Sequence, residues 1–404
     1  MSELSPSEKA IAVMRARCPE LDGHVLLINR FKHDDVQDAI ADALKTAPPA
    51  LADAIARQMA ELNPEELEML DQHYGAGGGF NLPLDLKPGE VPAVAILSPL
   101  QLARDLFGPD ANLAEIMSWH GDLGRDLDDD QIAELDFRYM RFAAWHEVGH
   151  AVADLRGHDR DFEPLPPPDD LDEDTWPKPV DQMARQNADE QYADGFSLRQ
   201  IGSDDPGEAL EAAILANRWR VINVMCAVMI GKPDVSIYST QNAFTAALNS
   251  IPDYVADGGR IIDPGTDGIA EQTRRSVVKG KHDPEDLAEL QVTSAQLREA
   301  LKNSDTDFAR ELGTLGREAT GSPTYYFVRD YLKAMDALLP STHPMREPFA
   351  AATRETARNP DAELWDSHNP PVEASTTAAR LKMQRAARRK PAVDATARPA
   401  PGGR

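Results

Sequence analysis

The sequence has only two cysteines, few aromatic residues and no long uninterrupted apolar run. Because Cys18 and Cys226 lie far apart in the chain, a disulfide framework is not expected, and a reducing compartment is compatible with the sequence. The most apolar stretch, from Ala212 to Ile230, is interrupted by two arginines and two asparagines, which favours a buried helix over a membrane span. The N-terminus has charged residues in place of the apolar core of a secretory signal. We therefore expect a cytoplasmic protein, with non-classical secretion as the alternative.

Basic residues are scarce relative to acidic ones. The chain has 42 Lys and Arg against 68 Asp and Glu, a formal net charge of −26. Proteins that bind nucleic acids or anionic membranes need a cationic surface that displaces counterions from phosphates. We therefore expect no nucleic acid as a partner of the core of this protein.

The C-terminal end is the exception to this acidic composition. From Ser375 onward, eight Lys or Arg stand against one acidic residue, a charge of +7; the preceding 374 residues must then carry −33 for the total to be −26. A segment with so few apolar residues cannot form a core, so residues 373–404 are predicted to be a disordered basic tail. Contact with nucleic acid or another acidic partner is the alternative role for this tail.

What the sequence does contain is helical periodicity over much of its length. Apolar residues recur three to four positions apart near the N-terminus, as at Val36, Ile40 and Leu44. The run from Val91 to Leu97 is the best candidate for a strand, and the glycine-rich residues 75–79 indicate a flexible joint. The predicted fold class is mainly α, with α+β as the alternative.

Three longer helices are predicted in the middle of the chain. A long helix is predicted from about Asp128 to Leu155, and the carboxylates at the start of this helix can cap it. Two further helices are predicted from Val180 to Ile201 and from Gly207 to Ile230. Residues 159–181 are acidic and Pro-rich, which indicates an exposed loop between the first two helices.

The first of these helices contains the motif His146-Glu147-Val148-Gly149-His150. Two histidines four residues apart on an α-helix project from the same face, so both imidazoles can reach one ion at about 2.0–2.1 Å. Glu147 is poorly placed to ligate that ion, but it can take a proton from a water molecule that the ion activates and pass it to a leaving amine. The motif therefore predicts a Zn²⁺ site with Glu147 as the general base. The alternative is that these are ordinary helix residues.

A zinc site that keeps one position open needs a third protein ligand. The Gly-x-x-His that would supply it directly after the motif is absent, because Ala153 and Arg156 occupy those positions. Glu190 and Asp194 lie four residues apart and share one face of the second predicted helix. Glu190 can ligate the ion, and Asp194 can accept the outer ring N–H of a histidine ligand and fix its orientation. The alternative is a solvated acidic face.

Together, the His-Glu-x-x-His motif and Glu190-Gln-Tyr-Ala-Asp194 resemble the gluzincin metallopeptidases, in which a downstream Glu-x-x-x-Asp follows the first motif. Ser341-Thr342-His343-Pro344 is similar to the Ser-Thr-His-Pro element of the CaaX-protease and heat-shock-protease-X branch of that group. This resemblance implies that His343 lies near the cleft and donates a hydrogen bond to a tetrahedral oxyanion. Tyr192 and Arg346 are weaker candidates for that role.

The resemblance covers roughly residues 130–347 in discontinuous pieces. The helix ending RVINVMCAVMIGKPD is also similar to bacterial metallopeptidases that share His-Glu-x-Gly-His-Ala and a third-ligand helix with Ala-Asp. Members of the CaaX-protease branch commonly carry transmembrane helices, and this sequence predicts none. A membrane or prenylated substrate is therefore not implied.

These features divide the chain into five expected segments. They are a helical N-terminal region at 1–80, a zincin-like catalytic core with a small sheet at 81–252, a polar insertion at 253–321 with a helix from Asp286 to Asn303, a C-terminal helical part of the catalytic domain at 322–372, and the basic tail at 373–404.

The expected function is that of a zinc-dependent metallopeptidase acting on a peptide or protein substrate. An acidic cleft would favour basic or extended substrates. The alternative is a non-catalytic zincin-fold protein with a binding or regulatory role, or one delivered as an effector through its basic tail. The sequence carries no signal for an oligomeric state.

Overall fold

The computed structural model describes the residues that carry most of the predicted elements. They are residues 6–18, 21, 25–29, 33, 36–64, 93–97, 129–156, 178–229, 240–256, 295–297, 299–300, 304–318, 323–339, 341–360 and 362. Helices predominate among them, beside one two-stranded sheet. The mainly α class is therefore confirmed.

The N-terminal part combines helices with the first strand. Its elements are α1 (Pro6–Arg17), β1 (Val25–Asn29), α2 (Val36–Leu44) and α3 (Pro49–Glu61). Side chains of β1, α2 and α3 form a small apolar cluster of their own: Leu26, Ile28, Val36, Ala39, Ile40, Leu51 and Ile55. The buried apolar residues of α2 and α3 therefore face this shared cluster rather than solvent.

The sheet consists of β1 and a second strand, β2 (Ala93–Leu97). The two strands are parallel, with register from Val25 opposite Ala93 to Asn29 opposite Leu97. β2 falls within the strand predicted over 91–97. β1 lies in the region predicted to be helical, so the prediction is wrong for these residues. The strand was missed because a run as short as Val25-Leu26-Leu27-Ile28 has no clear period of its own.

The histidine motif belongs to a group of four helices and lies on the first of them. They are α4 (Asp129–Arg156), α5 (Lys178–Asp204), α6 (Pro206–Met229) and α7 (Gln241–Ala256). The first three match the predicted helices within a few residues, whereas α7 lies in a region for which no helix was predicted. α5 packs against all three others, and α4 also contacts β2. Aromatic side chains fill the space between them, with Trp145 edge-on to Phe196 and Phe142 edge-on to Phe244 at centroid distances of 6.1 and 6.3 Å. The motif helix is thus held by a well-packed core.

The C-terminal part adds α8 (Asp305–Glu318), α9 (Pro323–Leu338) and α10 (Arg346–Thr356). α8 lies within the segment predicted as a polar insertion, yet its apolar face, with Phe308, Leu312 and Leu315, is buried in the main core. α9 contacts α6 and α7, which joins these helices to the motif-bearing group. The two parts therefore share one apolar core.

Several predicted segments lie outside the described residues. They are the joint at 75–79, residues 159–177 of the predicted loop, most of the helix predicted from Asp286 to Asn303, and the tail at 373–404. Among the helices that the structure describes, none combines the length and apolarity needed to cross a membrane.

Candidate metal centre

The histidine motif lies at a close contact between α4 and α5. A Cβ atom placed on Gly149 would lie 2.8 Å from the Cα of Ala193, closer than two helices can tolerate. Glycine at this position therefore lets the two backbones touch. The contact brings the face of α4 that carries His146 and His150 onto the face of α5 that carries Glu190 and Asp194.

His146, Glu147 and His150 form a buried group with the donor atoms to hold a metal ion. One potential ligand atom from each residue lies within 4.8 Å of the others. The Nε2 atoms of the two histidines are 3.0 Å apart. Glu147 is also buried, with Oε1 3.9 Å from His146 Nε2. The i, i+4 spacing therefore produces the convergence that helix geometry predicts.

The carboxylate of Glu190 faces the same two nitrogens. Its Oε2 is 3.5 Å from His146 Nε2, and its Oε1 is 3.9 Å from His150 Nε2. Ligands held tetrahedrally at about 2.0–2.1 Å from one ion are about 3.3 Å from each other. The 3.0 Å between the two nitrogens is near this spacing, and each nitrogen has one oxygen of Glu190 at 3.5 or 3.9 Å. The position of Glu190 is thus compatible with the predicted role of third ligand.

The outer ring nitrogens of both histidines meet aspartates on α5. His146 Nδ1 lies 2.8 Å from Asp194 Oδ1, and His150 Nδ1 lies 2.8 Å from Asp189 Oδ2. A ring that donates from Nδ1 presents the lone pair of Nε2 on its other side. Because two lone pairs 3.0 Å apart would repel each other, the two Nε2 atoms must share either a proton or a cation. This donor arrangement is compatible with a bound metal.

Arg220 of α6 contacts both acidic residues on the predicted ligand face of α5. Its Nη2 donates to Asp194 Oδ1 at 2.7 Å and lies 2.9 Å from Glu190 Oε2, while its Nε donates to Asp194 Oδ2 at 3.2 Å. Burial disfavours the charged form of Asp194, but Arg220 and His146 outweigh burial and lower the pKa of Asp194 to about 2. Asp194 is therefore a charged acceptor for His146 over the whole neutral pH range.

The pKa values of Glu147 and His150 are also shifted. Burial raises the pKa of Glu147, which makes this carboxylate a better proton acceptor than an exposed one. Burial is the largest single influence on His150 and favours the neutral ring, but the carboxylates of Asp189, Glu190 and Glu147 together outweigh it and raise the pKa of His150 well above its usual value. The acidic surroundings thus attract positive charge to the point where the Nε2 atoms converge.

The Ser-Thr-His-Pro element forms the short connection between α9 and α10. His343 Nδ1 accepts a hydrogen bond from the backbone N–H of Met345 at 3.1 Å, and Arg346 donates to the carbonyl of Leu339 at 2.7 Å. These bonds hold the connection to the ends of the two helices that it joins. Neither bond tests whether His343 lies beside an oxyanion, so that role stays a prediction. Tyr192 is buried, and its ring stacks on Phe196.

Two residues of the centre were not identified from the sequence. Asp189 precedes Glu190 in an acidic stretch, and no spacing rule distinguishes it from a solvated carboxylate. Arg220 did have a signal, because α5 and α6 form an antiparallel hairpin around Asp205. Glu190 and Arg220 each lie fifteen residues from Asp205, so the hairpin brings them opposite each other.

Comparisons with known proteins found no match, so a function has to be argued from the geometry of the site. No family model, no curated protein and no solved structure matches the chain. The resemblance to gluzincins therefore rests on the motifs alone.

Proposed function

We propose that this protein is a zinc-dependent peptidase in which Glu147 acts as the general base. The observation that carries the proposal is the convergence of two histidine Nε2 atoms and the Glu190 carboxylate within 3.0–3.9 Å, with Glu147 buried beside them. Two imidazoles and one carboxylate are a donor set used by catalytic zinc sites, in which a fourth position is left for water or substrate. His146, His150 and Glu190 would hold the ion.

The surrounding residues have separable roles in this proposal. The zinc ion, when bound, supplies Lewis acidity, polarising the scissile carbonyl and lowering the pKa of water. Glu147 accepts a proton from the attacking water and passes it to the leaving amine. Asp194 accepts a hydrogen bond from His146 Nδ1, and Asp189 forms an ion pair with His150 at Nδ1, so the two aspartates fix the orientation of the two rings. His343 is proposed to donate a hydrogen bond to the developing oxyanion.

A peptide substrate is supported by the motif and by charge. A general base next to the first of two helical histidines is the arrangement of metallopeptidases, and the downstream Glu-x-x-x-Asp resembles that of gluzincins. The formal charge of −26 favours the approach of basic or extended peptides. We therefore propose unfolded or extended peptide segments with Lys or Arg as the substrate class.

The test compares the zinc-loaded wild-type protein with Glu147→Gln on a peptide library. The amide keeps the size of the side chain but cannot accept the proton, so we expect zinc content to stay the same and kcat/KM to fall by at least about 100-fold. Glu61→Gln, at an exposed position at the end of α3, makes the same chemical change away from the site. It should cleave as the wild type does.

The results separate an enzyme from a binding protein. Equal hydrolysis by wild type and Glu147→Gln would exclude Glu147 as the base. Zinc bound by both proteins without cleavage of any library peptide would contradict the peptidase proposal and favour a non-catalytic binding role.

A further inference from the structure

Arg220 is a buried guanidinium that two acidic residues of the metal centre share. It donates to both oxygens of Asp194 and lies 2.9 Å from Oε2 of Glu190, but it is not itself a metal ligand. On the basis of the proposed metal site, we propose that Arg220 is a positioning residue. It occupies one oxygen of Glu190 and leaves the other for the ion.

The need for such a residue follows from the geometry of a carboxylate ligand. Each oxygen of Glu190 faces a different histidine, Oε2 toward His146 and Oε1 toward His150. If both oxygens ligated, the ion would have four protein donor atoms and, with its water, five ligands in place of the four of a tetrahedral site. The Arg220 guanidinium forms an ion pair with Oε2 at 2.9 Å, which stabilises negative charge on that oxygen and favours ligation through Oε1. Arg220 thus keeps the number of protein donors at three.

The same guanidinium couples Glu190 to the orientation of His146. Asp194 accepts from His146 Nδ1 through the oxygen, Oδ1, that also accepts from Arg220 Nη2. A shift of Arg220 would therefore disturb one metal-ligating carboxylate and one ligand-orienting carboxylate together. Lysine cannot replace it fully, because one ammonium lacks the planar fork that contacts two carboxylates at once.

A simpler role for Arg220 would be to neutralise the buried charge of Asp194. α6 offers a matched comparison two residues away, where buried Arg218 pairs with Asp305 at 2.9 Å and lies over the ring of Phe308. Loss of either arginine leaves a buried carboxylate without its cation, and both losses should lower stability. We expect the loss of Arg220, but not the loss of Arg218, to change the coordination of the metal.

The experiment uses the full chain loaded with Co²⁺ and compares Arg220→Met, Arg220→Lys and Arg218→Met with the wild type. Visible absorption of bound Co²⁺ reports the number of donor atoms, because four-coordinate cobalt absorbs more strongly than five- or six-coordinate cobalt. We expect weaker absorption in both Arg220 variants and a wild-type spectrum in Arg218→Met. Competition with a chelator should give a 10–100-fold loss of zinc affinity for Arg220→Met and a smaller loss for Arg220→Lys.

Each outcome bears on the positioning role. A wild-type cobalt spectrum in Arg220→Lys or Arg220→Met would overturn it, as would the same spectral change in Arg218→Met. Should Arg220→Met fail to fold, Arg220→Lys, which retains the buried charge, still decides the matter. Absence of peptidase activity would contradict the proposed function. It would not affect the test of Arg220, because cobalt absorption does not depend on hydrolysis.

Discussion

The two histidine–aspartate pairs of the metal centre differ in their surroundings. The side chain of Asp194 is 0% exposed and is held by Arg220, whereas that of Asp189 is 33% exposed. A hydrogen bond shielded from water is stronger, and removing one partner leaves the other without compensation. His146 is therefore held more firmly than His150.

This difference predicts an order of zinc affinities among three alanine variants. Glu190→Ala should lose most, because a direct donor is removed. Asp194→Ala should lose about 10–100-fold, as expected for residues that orient a ligand, and Asp189→Ala should lose least, since water can replace an exposed acceptor. Chelator competition on the purified proteins measures all three.

The order has a clear counter-result. If Asp189→Ala weakened zinc binding as much as Glu190→Ala, Asp189 would have to act as a ligand itself. Thermal unfolding of the metal-free proteins provides the control, because it separates loss of affinity from loss of fold.

At the scale of elements, the centre depends on the distance between α4 and α5. Gly149 sits at their contact, where an added Cβ would lie 2.8 Å from the Ala193 backbone. Gly195, two residues beyond Ala193 on α5, has room for a methyl group, since the nearest atoms to an added Cβ are 3.8 and 3.9 Å away. The two glycines lie on adjacent helices and have opposite steric environments.

Gly149→Ala should therefore push the helices apart and weaken zinc binding. Alanine gains about 0.5–1 kcal/mol of helix propensity over glycine, but overpacking costs roughly 1–3 kcal/mol. The free energy of unfolding should fall, as measured by denaturant titration, and zinc affinity should fall with it.

Gly195→Ala is the matched control for this substitution. It makes ordinary van der Waals contacts, so it should gain the propensity term and raise the free energy of unfolding. Equal changes in the free energy of unfolding of the two variants would show that the contact between α4 and α5 at Gly149 does not exclude a larger residue.

At the scale of the whole molecule, distant segments are tied to the motif-bearing helices. Arg17 of α1 donates to the Gln200 carbonyl at 2.7 Å and to Ser203 Oγ at 2.9 Å, and its guanidinium lies 5.9 Å from the ring centroid of Trp145. It thereby joins the end of α5 to the residue that precedes the first histidine. The Arg218–Asp305 pair similarly fixes α8 to α6.

A metal bound between α4 and α5 should add to these links and stabilise the whole fold. Binding to the folded state alone contributes about 4 kcal/mol when free metal exceeds Kd a thousandfold. A strong chelator should therefore lower the Tm of the zinc-loaded protein, and added zinc should restore it. Calorimetry over a range of chelator concentrations measures the shift.

His150→Ala tests whether that shift comes from the proposed centre. This variant lacks a ligand, so its Tm should be lower than that of the loaded wild type and insensitive to chelator. A chelator response as large as that of the wild type would place the stabilising metal elsewhere in the chain.

Features that depend on local periodicity were predictable from the residues alone. The i, i+4 spacing of His146 and His150 predicts that both rings project from one side of a helix, and they do, with Nε2 atoms 3.0 Å apart. The predicted helices 180–201 and 207–230 correspond to α5 and α6, and the run at 91–97 contains β2. Such features follow from the 3.6-residue repeat or from short apolar runs bounded by turns.

Only the tertiary structure decided which side chains meet. The pairing of β1 with β2 was not evident, because a strand of five residues is specified by a partner far along the chain. The contacts of Asp189 with His150 and of Arg220 with Glu190 likewise depend on how α4, α5 and α6 are placed. Helical spacing fixes the face on which a residue lies, whereas its partner is fixed by close packing between helices, as where Gly149 touches Ala193.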